Sequence, residues 1–168
     1  MLFLLFIFCI STKSHASNNE PSITSGSAIL LENSTSKVLF EKNMNEKLEP
    51  ASITKIMTAI LAIENCNLDD VVTVPYEAIS NIPSGYSVAP LQTDEQITVD
   101  QLLRVLMVHS ANDAANALAY HIDGSIPAFA ERMNAKLNAL GLKDSHFTNP
   151  SGQHDTNHYS TEHDIAIL

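Results

Sequence analysis

Residues 55–64, KIMTAILAIE, are apolar on almost every side of the helix that their pattern predicts. One face alone carries three isoleucines, Ile56, Ile60 and Ile63. A helix that is apolar nearly all round has to be enclosed by other elements. We therefore predict that this helix lies inside a domain. A chain of 168 residues, 45% of them hydrophobic, is long and apolar enough to enclose it.

The segments on either side of this helix predict strands and loops. Two apolar stretches, residues 28–31 and 38–40, flank the turn-forming ENSTSK and predict a β-hairpin. Residues 69–79 indicate a short strand followed by a helical turn. Residues 80–96 are rich in Pro, Gly, Ser and Asn and predict a long loop.

Further helices follow, and residues with capping preferences mark their ends. Thr98 is the expected N-cap of the helix in TVDQLLRVLMVH, and Gly141 is the expected stop of the helix in SIPAFAERMNAKLNAL. Between them the segment SAND interrupts the apolar pattern before AANALAYHI resumes it. Thr161 and Asp164 have the spacing of a capping-box variant at the start of a last helix.

The N-terminus has the pattern of an export signal. The nine apolar residues LFLLFIFCI are too few to span a bilayer but suit the hydrophobic part of a secretory signal, and Ala16 is a small residue at the expected cut. No Lys or Arg precedes the run, which departs from the usual signal. We predict a signal peptide over residues 1–16, a domain over residues 17–168, and a location in the periplasm or elsewhere outside the cytoplasm.

Charge and cysteine content argue against several classes of protein. The formal net charge is −10 at pH 7, which disfavours nucleic acid and anionic membrane surfaces as partners. Cys9 lies inside the predicted signal, so Cys66 is the only cysteine of residues 17–168. Neither an internal disulfide nor a cysteine-based zinc site is then expected. We predict no cofactor and no nucleic-acid partner.

Ser52 and Lys55 stand three positions apart where the apolar helix begins, so both side chains can lie on one face of its first turn. A serine hydroxyl is a poor nucleophile at neutral pH and needs a base within hydrogen-bond reach. Lysine can be that base when burial and the positive end of a helix lower its pKa. The alternative is a serine N-cap beside a solvated lysine.

A second polar group, Ser110-Ala111-Asn112, lies in the break between two apolar helices. A loop held between buried helices can direct polar groups into a cleft. There Ser110 would pass a proton between Lys55 and a leaving amine, and Asn112 would hydrogen-bond a substrate amide. The alternative is that Ser110 or Asn112 caps the helix that follows.

Together, EPASITKIMTAILAIE and HSANDAANALA resemble the serine D-alanyl-D-alanine carboxypeptidases, the low-molecular-mass penicillin-binding proteins. Class A β-lactamases share the S-x-x-K motif with this family. The stretches SAILLENSTSKVLFEKNMNEKLEPAS, LNALGLKDSHFTNPSG and HYSTEHDIAIL resemble the same family, so the resemblance covers about residues 25–168.

The resemblance implies an α/β (α+β) fold of the β-lactamase and DD-peptidase type, with a helical cluster packed on an antiparallel sheet. It implies that Ser52 is the acylated nucleophile, Lys55 its general base and Ser110 a proton-transfer group, while Asn112 holds the substrate. The implied substrate is the terminal D-Ala–D-Ala bond of the peptidoglycan stem peptide. Penicillins and other β-lactams would acylate the same serine.

One departure from the family pattern is large: the triad K-T-G, which binds the substrate carboxylate in the family, does not occur in this sequence. We therefore expect a C-terminally truncated chain that holds the N-terminal part of the catalytic domain. Closing strands of the sheet and any membrane anchor would be missing. Because the oxyanion site would be half-built, we expect little or no activity of residues 17–168 toward penicillin.

Three other interpretations remain open. Four histidines, with acidic neighbours, are candidates for a metal site but have no compact ligand spacing: His146, His154, His158 and His163. A class A β-lactamase needs a glutamate over the acyl ester; HFTNPSGQHDTNHYS contains none, and Glu162 lacks the expected neighbours. A non-catalytic module that binds peptidoglycan or β-lactams is the third.

Overall fold

The computed structural model describes residues 21–168. The predicted signal peptide, with Cys9, lies outside the described residues. Among residues 21–168, no helix is long and apolar enough to cross a membrane.

Within residues 21–168, the strands form two antiparallel pairs. Strand β1 (Ala28–Glu32) pairs with β2 (Lys37–Lys42), with a register shift after Leu30, which confirms the predicted hairpin. Strand β3 (Val71–Thr73) pairs with β4 (Gln96–Thr98). Gln96 was predicted to lie in a loop, and that prediction is wrong, because it is the first residue of β4. Three residues carry too little pattern to indicate a strand, and β4 is defined by its pairing with the distant β3.

The helices form the larger layer. A 3-10 turn (Ala51–Thr54) leads into α1 (Lys55–Asn65), and α2 (Tyr76–Ser80) follows β3. The remaining helices are α3 (Val99–His109), α4 (Asn112–Asp123), α5 (Ile126–Leu140) and α6 (Glu162–Ile167). Helix α6 packs on β1, while α4 packs against α1, α2, α3 and α5.

Helix α4 can occupy this central place because its buried side chains are small. Ala114, Ala115, Ala117 and Ala119 are all fully buried, and only Leu118 adds bulk. Small side chains let neighbouring helices approach closely, and Leu102 and Leu106 of α3 fill the space beside them. The result is a dense core that fixes where α1 and α3 lie relative to each other.

The prediction that α1 is enclosed on all sides is only partly right. Met57 and Leu61 are buried, but Ile56 is 36% and Ile63 is 63% exposed. The side of α1 that carries Met57 and Leu61 packs on α4 and α5. Within residues 21–168, the isoleucine side lies at the surface.

The predicted helix ends are confirmed, and each has an identifiable cap. Thr98 and Gln101 form a full capping box at the start of α3. Gly141 ends α5 with φ 76°, a left-handed conformation that glycine adopts without strain. The Thr161 hydroxyl accepts a hydrogen bond from the Asp164 N–H at the start of α6.

Candidate active site

Ser52 lies in the 3-10 turn and does not cap a helix. The N-cap of the turn is Pro50 and that of α1 is Thr54, and neither makes a side-chain cap bond. Ala51, directly before the serine, has φ +46°, which a residue with a Cβ rarely adopts. The interpretation of Ser52 as an ordinary helix cap is therefore wrong, and the backbone before it is held in an uncommon conformation.

The hydroxyl of Ser52 is the meeting point of three side chains. Lys55 Nζ donates a hydrogen bond to Ser52 Oγ over 3.1 Å. Ser110 Oγ donates to the same oxygen over 3.0 Å. The three residues line an open cleft whose apolar walls include Ile56, Leu106 and Met107. Sequence reasoning placed Ser52, Lys55 and Ser110 together, and the structure brings them together.

Lys55 is unusual because its amine is buried beside uncharged partners. The residue is 2% exposed, and its second hydrogen bond goes to the main-chain oxygen of Ser151 over 2.8 Å. Burial lowers the pKa of Lys55 to about 8. With that pKa, about one molecule in ten carries the neutral amine at pH 7. Such an amine can accept a proton from a neighbouring hydroxyl.

Ser110 occupies the sharp corner between α3 and α4. It is the C-cap of α3 with φ 56° and ψ 36°, while Ala111 is the N-cap of α4 and makes no side-chain cap bond. A serine in the left-handed region is strained by about 1 kcal/mol. Neither Ser110 nor Asn112 caps α4, so that alternative is wrong. The corner directs Ser110 Oγ toward Ser52.

Asn112 makes a contact of its own, separate from the three hydrogen-bonded side chains. It is buried at the first turn of α4, and its Nδ2 donates to the main-chain oxygen of Ser87 over 2.8 Å. It does not appear among the cleft-lining residues. An amide has a second N–H and an acceptor oxygen, so the bond to Ser87 leaves groups for a further partner.

The loop of residues 148–152 contacts the buried amine of Lys55 through the Ser151 oxygen. The sequence did not indicate that this loop belongs to the site. Asn149 Oδ1 accepts hydrogen bonds from the N–H groups of Ser151 and Gly152 over 3.2 and 2.8 Å. Thr58 donates to the oxygen of Pro150 over 2.6 Å. The dipeptide Asn149-Pro150 is a known turn signal, but nothing in the sequence indicates which side chain the turn faces.

Asp113 is a second residue near the site that the sequence did not single out. It is buried, and its carboxylate accepts hydrogen bonds from the N–H groups of Ala89 and Leu91 over 2.9 to 3.1 Å. It therefore holds residues 87–91 against the start of α4. The sequence signal that could have singled it out is an acidic residue directly after Ser-Ala-Asn, at the head of the alanine-rich AANALA.

The four histidines of the metal hypothesis are spread over separate contacts. His154 pairs with Glu49, His163 with Asp164, and His146 with the oxygen of Asn157, while His158 is buried. Among residues 21–168, no three side chains of His, Cys, Asp or Glu are placed to share an ion. Glu162, considered for a β-lactamase, accepts a hydrogen bond from Ser27 beside β1.

Residues 14–168 match the family model described as D-alanyl-D-alanine carboxypeptidase, peptidase family S11. The chain belongs to the D-alanyl-D-alanine carboxypeptidase family. It is 42% identical over 147 residues to D-alanyl-D-alanine carboxypeptidase DacF from Bacillus subtilis, an alignment that covers 84% of this chain and 37% of the relative.

Solved structures agree with this membership. Penicillin binding protein 5 from Haemophilus influenzae superposes with a TM-score of 0.84 at 34% identity, covering 90% of this chain and 45% of that one. Penicillin binding protein 6B from Escherichia coli gives 0.83 at 34% identity, covering 88% and 49%. The fold class predicted from the resemblance is confirmed. The chain spans less than half the length of these relatives.

Proposed function

We propose that this carboxypeptidase-family chain carries the nucleophilic half of a serine-type D-Ala-D-Ala carboxypeptidase, which removes the terminal D-alanine of a peptidoglycan stem peptide. The observation that carries the proposal is the single oxygen, Ser52 Oγ, that receives hydrogen bonds from both Lys55 and Ser110. A serine with a buried amine on one side and a second hydroxyl on the other has the nucleophile and the base that acyl transfer requires.

In the first step, Ser52 Oγ attacks the carbonyl carbon of the penultimate D-alanine. The neutral amine of Lys55 takes the hydroxyl proton as the new C–O bond forms. A lysine with a pKa of about 8 is suited to this role, because its neutral form is populated near neutral pH and it remains basic. The carbonyl of Ser151, bonded to Lys55, keeps the ammonium in place after the transfer.

In the second step, the C–N bond breaks and D-alanine leaves. Its nitrogen needs a proton, and the Lys55 ammonium supplies one through the hydroxyl of Ser110, which lies 3.0 Å from Ser52 Oγ. The acyl group stays on Ser52 until water hydrolyses the ester and Lys55 again accepts the proton. Asn112 is proposed to hydrogen-bond the peptide of the substrate with the part of its amide that Ser87 does not use.

β-Lactams are proposed as ligands of the same serine. Their strained lactam amide offers Ser52 a carbonyl carbon, and opening the ring leaves the acyl group and the former nitrogen on one molecule. The apolar wall formed by Ile56, Leu106 and Met107 is suited to the hydrocarbon part of such a ligand. Substrate and antibiotic therefore compete for one site in this proposal.

Export is also proposed. Residues 1–16 would direct the chain across the membrane, and residues 17–168 would form part of the catalytic domain outside the cytoplasm, where peptidoglycan lies. A fusion of residues 1–24 to alkaline phosphatase, which is active only after export, tests this. Phosphatase activity that survives replacement of Phe6 and Ile7 by lysine would contradict it.

The catalytic proposal is tested by incubating the purified protein with millimolar benzylpenicillin and measuring its intact mass over hours. Because the sequence contains no K-T-G, we expect a slow adduct that peptide mapping places on Ser52. Lys55→Ala should slow its formation by about 100-fold or more, and Ser110→Ala by about 10-fold. The rate should rise with pH and level off above about pH 8.

The matched control is Ser84→Ala, which changes an exposed serine in the loop before α3. It should form the adduct at the parent rate, whereas Ser52→Ala should form none. Reversible binding of penicillin with no mass change at any pH would contradict the proposal and favour the non-catalytic binding module. An adduct on another residue would also contradict it.

A further inference from the structure

His158 lies in the core of the molecule, and none of the steps described above uses it. It is 3% exposed and packs against the ring of Phe147, with 5.2 Å between ring centroids. Its Nε2 lies 2.8 Å from the Thr54 hydroxyl, and its Nδ1 lies 3.0 Å from the Thr148 main-chain nitrogen. The imidazole thus joins two segments that are far apart in sequence.

The partners of His158 determine its tautomer. A main-chain N–H can only donate, so Nδ1 must accept the hydrogen bond from Thr148 and carries no proton. The remaining proton is then on Nε2, which donates to the Thr54 hydroxyl. His158 is therefore neutral, and both of its ring nitrogens are satisfied. Removing the Thr54 hydroxyl would leave the Nε2 proton of His158 unpaired in the core.

The two segments that His158 joins are the two that hold Lys55. Thr54 lies between Ser52 and Lys55 in the 3-10 turn. Thr148 begins the loop whose Ser151 oxygen accepts a hydrogen bond from Lys55 Nζ over 2.8 Å. If the loop moves away from the turn, the Lys55 amine loses this acceptor and the cover that keeps it from water.

We infer that His158 is a positioning residue: by bonding Thr54 and Thr148 together, it keeps the Ser151 carbonyl on Lys55 and so aims the amine at Ser52. The inference rests on the proposed role of Lys55 as the base. It assigns to His158 an effect on the reaction although the imidazole touches no reacting atom.

The test measures the pKa of Lys55 by NMR of protein with 13C-labelled lysine Cε. The Lys55 signal is the one that is missing from the spectrum of Lys55→Arg. His158→Ala should raise the Lys55 pKa from about 8 by about one unit toward its ordinary value of 10.5, because water reaches the amine. The neutral fraction at pH 7 then falls about tenfold, and formation of the Ser52 penicillin adduct should slow by a similar factor.

Conservative variants separate positioning from general loss of structure. His158→Gln keeps a donor that can reach Thr54 and should restore most of the parent titration. Thr54→Val removes the acceptor with little change in shape and should shift Lys55 as His158→Ala does, whereas Thr54→Ser should not. The control His121→Ala changes an exposed histidine of α4 and should leave Lys55 unchanged.

A Lys55 pKa that stays at the parent value in folded His158→Ala or Thr54→Val would overturn the inference, even if the unfolding temperature falls. If His158→Ala does not fold, the Thr54 pair decides alone. Failure of the proposed function is a separate result: the parent then gives no Ser52 adduct, while the lysine titration still reports whether His158 positions the amine.

Discussion

The two loops that flank the candidate site differ in what they hold. Residues 148–152 accept hydrogen bonds from Lys55 and Thr58, so they bind α1, the helix that carries the proposed base. Residues 87–91 donate N–H groups to Asp113, so they bind the start of α4. One loop therefore controls the environment of the amine, and the other controls the Ser-Ala-Asn corner.

This difference shows how the site can be perturbed from either side. A change in the first loop should alter the pKa of Lys55, whereas a change in the second should leave that pKa alone and displace Ser110. Stability falls in both cases, so only the lysine titration tells the two apart. Four predictions test this separation, beginning with the largest expected effect.

Gly152→Ala should have the largest effect. A Cβ at this position, where φ is +79°, would lie 1.7 Å from the main-chain oxygen of Ala51. The loop must then move away from the 3-10 turn that carries Ser52, at a cost of about 3 kcal/mol or more, measured by urea unfolding. The Lys55 pKa should rise and the penicillin adduct should disappear.

Gly141→Ala is the matched control for this change. Its φ is +76°, but a Cβ there meets nothing within 4 Å, so only the strain of about 1 kcal/mol remains. If both variants lost the same free energy of unfolding, the contact between Gly152 and Ala51 would not be the cause of the destabilisation.

Asp113→Ala should cost about 3 kcal/mol, because the N–H groups of Ala89 and Leu91 lose their acceptor. Adduct formation should slow through Ser110, while Lys55 titrates as in the parent. Asp100→Ala serves as the control, since its carboxylate pairs with Arg104 at the exposed surface, where an ion pair contributes little to stability. A raised Lys55 pKa in Asp113→Ala would show that the two loops are not independent.

Acid should weaken the first loop through His158, whose pKa is lowered from 6.5 to about 4, chiefly by burial. Asp155 and Glu49 nearby raise this pKa and His146 lowers it, but each of these effects is smaller than that of burial. Between these pH values the unfolded chain takes up a proton that the folded protein does not. The free energy of unfolding should therefore fall by at most about 3 kcal/mol as pH drops from 6.5 to 4.

His158→Gln isolates this contribution, because glutamine does not titrate. The difference in stability between parent and variant should depend on pH only in the window between about 4 and 6.5. A difference that is constant over this window would show that His158 has an ordinary pKa in the folded protein.

Thr58→Val should have the smallest effect. It keeps the shape of the side chain but removes the hydroxyl that donates to the Pro150 oxygen, which costs about 1 kcal/mol. The loop keeps its other contacts, so Lys55 should titrate within a few tenths of its parent pKa. Thr156→Val, on an exposed turn, should change neither quantity. If Thr58→Val shifted the Lys55 pKa as much as Gly152→Ala does, the Thr58 hydrogen bond would be the main contact that holds the loop in place.

Local sequence patterns predicted the elements that depend on neighbouring residues. Helix ends at Thr98, Gly141 and Thr161 follow from capping preferences, and the β1–β2 hairpin follows from its turn. The pairing of β3 with β4 joins segments separated by a helix and a long loop, and no local pattern encodes it.

The candidate site also contains contacts that the local sequence predicted and contacts that it did not. Ser52 and Lys55 share one turn, so their spacing alone predicted their contact. Ser110 was added because its segment interrupts two apolar helices, and the resemblance to the family implied the same role. The contacts of the Ser151 carbonyl and the His158 side chain were not predicted. Any residue type can supply a main-chain acceptor, so Ser151 carries no signal in the sequence. A histidine that will be buried cannot be told from an exposed one by sequence alone.

The long sequence separations at Ser52 have a consequence for the chain before it folds. The bonds to Ser52 and its turn reach across 58 residues from Ser110 and 104 residues from His158. A nascent or unfolded polypeptide therefore carries a chemically ordinary serine and a fully protonated lysine, inert toward electrophiles. In the proposed mechanism, Ser52 becomes reactive only when distant parts of the chain close around the turn, so folding itself is the activation step.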